Sequence, residues 1–225
     1  APEMPRSGAS PNEPLTTRHI VQFFWPLALV MGVQGFSRPL VNLFISREPG
    51  GEIALAALAI VYPLAHTPYG WLNELRSLLV VYRKPDQRPS IRAFFVACAT
   101  LSFGIMALAF WTPLRNGLLT GLIGIDTALA ERCALPLMIF AFFPIVVAIR
   151  SYWHGIALRR KHTAPLAPSG VIRILAILGG LQLLPATGLT GASLGIASLL
   201  AGFVTETIAV AAGVALGRRR HDDAP

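Results

Sequence analysis

Gln34, Arg38, Asn42 and Ser46 fall at every fourth position of a stretch, residues 33–46, that is otherwise largely apolar. On a helix this spacing lines them up as one polar stripe. Arg38 is its expensive member: a charge near mid-membrane costs about 2.5–3.5 kcal/mol on insertion scales, so it normally faces a bundle interior or a water-filled cavity. Pro39 follows directly and weakens the helix beside it. A cation, a polar stripe and a helix break at one depth suit a pathway wall for something anionic.

Other ionisable residues repeat the pattern. In the segment YPLAHTPYGWLNELR, residues 62–76, His66, Gly70 and Glu74 share a face, joined at three-residue steps by Tyr69 and Asn73. Arg76 stands two residues from Glu74, so the two cannot pair along an ideal helix, and each is expected to meet a partner on another span. Two readings stay open here: a kinked helix with a buried ion pair, or a substrate or proton site. Arg150 and His154 are four apart and stack on one face, where arginine could hold an anion and histidine could titrate near neutrality. Arg150 could equally snorkel to the adjacent basic loop. Arg173 follows Ser169 by four residues and is either an interfacial anchor or a pathway residue. Ser198, Gly202 and Glu206 also recur every fourth residue. Small residues at that spacing mean close helix packing, whereas Glu206 calls for an arginine partner.

These residues lie in blocks long and apolar enough to cross a bilayer. Of the 225 residues, 54% are hydrophobic and 13% charged, and the mean hydropathy is +0.59, which excludes an ordinary soluble globule. We expect an all-α membrane protein of six spans, near 20–45, 53–80, 91–111, 131–157, 165–184 and 189–216. The second is interrupted at Pro63 and Pro68, and a loop with helical patches, 114–130, precedes the fourth. Residues 1–17 read as a Pro-rich linker or tail, 18–217 as the bundle and 218–225 as a basic tail.

The net charge of +8 sits in short loops rather than in a nucleic-acid-binding face. Twelve basic residues flank the spans on one side, among them Arg83, Lys84, Arg88, Arg92, Arg159, Arg160 and Lys161; the other side has Arg47, Arg115 and Arg132. The positive-inside rule then puts both termini in the cytoplasm. The two cysteines, Cys98 and Cys133, fall near opposite membrane faces and are not expected to pair. The aromatic runs Phe23-Phe24-Trp25 and Phe142-Phe143 are read as lipid-facing or packing residues. No catalytic carboxylate cluster accompanies His66 and His154, the two histidines placed within spans, so no enzyme, cofactor or metal is expected.

The strings WPLAL (25–29), SRPLVNLFISR (37–47), YPLAHTPYGWLNELR (62–76), FWTP (110–113), LAPSGVIRI (166–174) and GASLGIASLLAGFVTE (191–206) resemble the C-terminal half of the progressive ankylosis protein family, nearly gap-free from about Thr16 to Leu216. The resemblance implies a multidrug-and-toxin-extrusion-like fold, in which two six-helix bundles surround a central cavity. This chain would supply the second bundle. It also implies export of anionic metabolites: pyrophosphate, nucleoside triphosphate, citrate or related carboxylates. The candidate substrate contacts are then Arg38, Asn42, His66, Tyr69, Arg76, Arg150 and Arg173. Glu74, His154 and Glu206 are candidates for ion coupling or a buried pair. The expected partners are the bilayer, the anion, and either an N-terminal bundle or a second copy of the chain. Rival readings are a drug or lipid-linked precursor exporter on the same fold, and a non-transporting scaffold or regulator.

Overall fold

The computed structural model describes residues 17–82, 85–159 and 166–222. Residues 1–16 of the expected linker lie outside them and its last residue, Thr17, opens the first helix; the loop basics Arg83, Lys84, Arg160 and Lys161 also lie outside. Among the described residues the chain is all helical. Helix α1 runs Thr17–Ile45 and α2 Gly51–His66; a 3-10 segment, Gly70–Leu75, leads into α3, Arg76–Val81. Then come α4, Arg88–Trp111, the single turn α5, Leu114–Asn116, and a π-helical turn, Gly117–Leu122. Helices α6, Thr127–Phe140, and α7, Phe143–Arg159, are followed by α8, Leu166–Leu183, and α9, Gly191–Asp222.

Among the described residues, four stretches are long and apolar enough to cross a membrane: Arg88–Trp111, Thr127–Arg159, Pro168–Thr187 and Gly191–Leu216. A fifth is the pair Gly51–His66 and Gly70–Val81, bent by 50° at its break. These match the expected second to sixth spans. The expected first span falls on α1, 29 residues long, part of whose side chains lie outside the described set. The helix passes through Pro39 without interruption, because proline removes one backbone donor but its fixed φ is helical. The break in the second span falls where expected. Its last helical turn holds Pro63, and the hydroxyl and the amide of Thr67 both bond back to the Pro63 carbonyl, at 3.0 and 3.3 Å.

Local chemistry explains the remaining boundaries. Asp126 caps α6 by accepting the Leu129 amide at 2.8 Å. Gly188, with φ of +84°, turns the chain out of α8 in a conformation that β-carbon-bearing residues resist. The helices then pack through the small residues. A Cβ on Gly202 would lie 2.6 Å from Ile177, one on Gly195 2.8 Å from Val41, and one on Gly155 2.8 Å from the Arg76 carbonyl oxygen. Glycine is thus what lets α9 approach α8 and α1, and α7 approach α3. The core fills with Val41, Leu58, Leu72, Met106, Phe140, Phe143 and Ile177, all buried. Cys98 and Cys133 are buried and free. Helix α9 continues through the expected tail as far as Asp222.

Candidate functional site

Glu206, wholly buried on α9, organises the centre of the bundle. Its Oε2 accepts from Arg150 Nη1 of α7 at 3.1 Å and from Arg173 Nη1 of α8 at 3.0 Å. Its Oε1 faces His154 Nε2 at 3.9 Å, beyond hydrogen-bond distance. Arg150 and His154 reach one carboxylate because four residues separate them on α7, as the sequence requires. Phe203, three residues before Glu206, puts its ring beneath both guanidiniums, 3.9 Å from Arg173 and 5.1 Å from Arg150. Arg150 Nη2 also donates to Asn73 Oδ1 at 3.0 Å. The two arginines are therefore held in fixed positions by a carboxylate, a ring and, for Arg150, an amide.

In front of this cluster lies a cavity of about 380 Å³. Arg38, Arg76, Arg150 and Arg173 all line it. Arg38 reaches in from α1 with its guanidinium 4.9 Å above the Tyr62 ring. His66 and Tyr69 form one wall, their rings edge to face at 5.2 Å. Asn73 and Arg76 follow along the 3-10 segment and the start of α3. Phe140, Phe143 and Phe203 supply the apolar floor. Among the described residues no Asp or Glu stands in the lining; Glu206 lies behind it, joined to two of its four arginines. Four guanidiniums against one carboxylate leave a surplus of three positive charges, with histidines neutral.

The structure brings together most of the residues singled out by sequence. Arg38, His66, Tyr69, Arg76, Arg150 and Arg173 line the cavity, and His154 and Glu206 sit directly behind it. The expected arginine partner of Glu206 is two arginines. His66 is exposed to the cavity rather than buried. Asn42 is half-buried one turn beyond Arg38 and outside the lining, its Oδ1 without a hydrogen-bond partner among the described residues. Ser46 bonds back to the Leu43 carbonyl at 2.9 Å, and the side chain of Gln34 is outside the described set. Glu74 is exposed and does not reach the cavity.

The displacement of Glu74 has a local cause. Residues 70–75 wind as a 3-10 helix, whose period is three, so Gly70, Asn73 and Arg76 keep one face and the four-step from Gly70 to Glu74 leaves it. Sequence reasoning did not assign a site role to Asn73, although its three-residue spacing to Arg76 is the signal. It also read Phe142-Phe143 as packing or lipid-facing. Phe142 is exposed, whereas Phe143 is a cavity residue.

A bundle of apolar helices around a cationic cavity defines a multi-pass integral membrane protein with a polar site inside it. Residues 4–112, just under half of the chain, match the family model of the progressive ankylosis protein (ANKH), which is the family the sequence strings resemble. The match ends at residue 112, so the strings at 166–174 and 191–206 carry the resemblance on their own residues alone. No solved structure matches the chain.

Proposed function

We propose that this chain is the C-terminal bundle, six helices counting α1, of a membrane exporter of anionic metabolites, with pyrophosphate, nucleoside triphosphate, citrate or a related carboxylate as cargo. The observation that carries this reading is the convergence of Arg38, Arg76, Arg150 and Arg173 on one cavity with Glu206 as the single counter-charge among the described residues. Neutralising four arginines within the bundle would need more carboxylates than one. The surplus is what an anionic cargo neutralises. The cavity volume, about 380 Å³, falls in the usual range for small-ligand sites, roughly 300–1,000 Å³.

The four arginines have different duties in this scheme. Arg150 and Arg173 are immobilised on Glu206, with Phe203 beneath them, and form the deep end. Arg38 is exposed above Tyr62 and meets an incoming anion first, with Arg76 and His66 beside it. Planar guanidiniums bind carboxylate and phosphate oxygens in pairs, which suits such cargo better than lysine would. The bundle sits in the cell membrane with both termini cytoplasmic, by the loop-charge asymmetry. Alternating access requires a second bundle facing this cavity, either an N-terminal bundle or another copy of the chain.

Untargeted mass spectrometry of medium from cells expressing the chain tests the proposal, with Arg38→Gln and empty-vector controls. Accumulation of citrate, pyrophosphate or nucleotides, lost in Arg38→Gln while membrane levels hold, is the expected result. Repeating the assay with a first bundle supplied covers the case where one copy is insufficient. Silence in both formats, or flux indifferent to Arg38, sinks the exporter reading in favour of a scaffold or regulator.

A further inference from the structure

A second, larger cavity lies away from the arginines. It is an apolar groove of about 480 Å³ between α4 and α7. Arg92, Val96, Thr100 and Phe103 border it on α4; Trp153, Ile149 and Ile145 border it on α7. The helices run antiparallel, since Phe95 meets Tyr152 at 5.5 Å while Phe103 meets Phe142 at 6.0 Å. Phe103, Phe142 and Trp111 cluster at ring distances of 5.6–6.0 Å and close the inner end. The other end opens at Arg92 and Trp153, where α4 begins and α7 ends. From Arg92 to Phe103 is about 16 Å of helix, close to the ~15 Å apolar depth of one bilayer leaflet.

Charge is confined to the open end. Arg88 and Arg92 are exposed and one turn apart on α4. In the sequence, residues 83–92 hold four basic side chains against Asp86, and 159–161 add three more with no acid. An arginine and an interfacial tryptophan at the mouth, with a leaflet-deep apolar channel behind them, match the shape and charge of one lipid. Helix α4 contributes nothing to the arginine cavity, so a bundle docking over that cavity would not need this face.

We infer that the α4–α7 groove is a binding site for an anionic phospholipid. One acyl chain lies along the groove, and the headgroup phosphate is held at Arg92 and Arg88. Loop arginines that merely set topology would need no groove behind them, which makes the two roles separable.

The test uses the full chain in phosphatidylcholine nanodiscs doped with brominated-chain phosphatidylglycerol or brominated-chain phosphatidylcholine. Bromine quenches tryptophan within contact range, and the difference between the wild type and Trp153→Phe isolates the contribution of Trp153. Half-maximal quenching of Trp153 is expected at an about fivefold lower fraction of phosphatidylglycerol than of phosphatidylcholine, the scale of one juxtamembrane basic residue. Replacing Arg88 and Arg92 together by Gln should abolish that preference, and Arg115→Gln should not. Ala99→Phe, which narrows the groove, should reduce quenching by both lipids. Equal quenching by the two lipids in the wild type would mean ordinary boundary lipid and overturns the proposal. Absence of quenching by either would mean the groove is covered by protein, and overturns it too.

Discussion

Arg150 and Arg173, on different helices, donate to the same oxygen atom, Oε2 of Glu206. Two guanidiniums on one acceptor repel each other and stay only because the carboxylate between them is charged and buried. Glu206→Gln should therefore destabilise the bundle by about 3–5 kcal/mol, the usual effect of removing one member of a buried ion pair. Thermal unfolding in detergent measures it, and Glu206→Asp, which keeps the charge, should lose distinctly less. Equal losses would mean that size rather than charge matters there.

Asn73 offers a way to change the charge of the cavity without emptying its centre. Asn73→Asp adds a carboxylate beside Arg150 and cuts the surplus from three to two. We expect anion transport to need about tenfold more substrate for half-saturation, an effect of ~1.4 kcal/mol on binding. Asn73→Ala, which removes the amide and adds no charge, should shift it much less. Concentration series for the three proteins decide the matter.

The hydroxyl of Tyr62 is buried with no hydrogen-bond partner among the described residues, while its ring supports Arg38 and meets Phe140 edge-on at 6.2 Å. Tyr62→Phe keeps both ring contacts and relieves an unsatisfied group whose burial costs about 1–3 kcal/mol. Melting temperature should hold or rise, and Arg38-dependent flux should persist. Tyr62→Leu should lower both.

Gly202 sets the spacing on which the arginine–glutamate contact depends. A Cβ there would stand 2.6 Å from Ile177 and 3.3 Å from the carbonyl oxygen of Arg173 itself. Gly202→Ala should cost about 1–3 kcal/mol through overpacking. Adding Ile177→Ala should return part of that loss, because it clears the nearest side-chain atoms. A double variant no better than the single one would place the strain on the backbone of α8.

The helical bundle and much of its site were legible because apolar helices leave ionisable groups few options. Glu206 had to find a cation, and Arg150 and Arg173 were the charges within reach. The four-residue spacing of Arg150 and His154 survives because α7 is regular there. Glu74 was misplaced for the opposite reason. The chain changes helical period after His66, and a face drawn with α-helical steps does not follow it through a 3-10 segment. Phe143 and Phe203 were illegible as site residues because an aromatic inside a span looks the same whether it touches lipid, core or a guanidinium. The expected count of six spans rests on α1, which is one continuous helix from Thr17 to Ile45.

The arginine cavity is drawn from both ends of the chain. Arg38, His66, Asn73 and Arg76 lie within the stretch that matches the family model, whereas Arg150, Arg173, Phe203 and Glu206 lie after it. A gene product cut short beyond α4 would therefore still match the family model while holding only two of the four arginines and not the carboxylate that fixes the others. A complete cavity in this chain is therefore marked by Glu206 with its two arginines, rather than by the stretch that matches the family model.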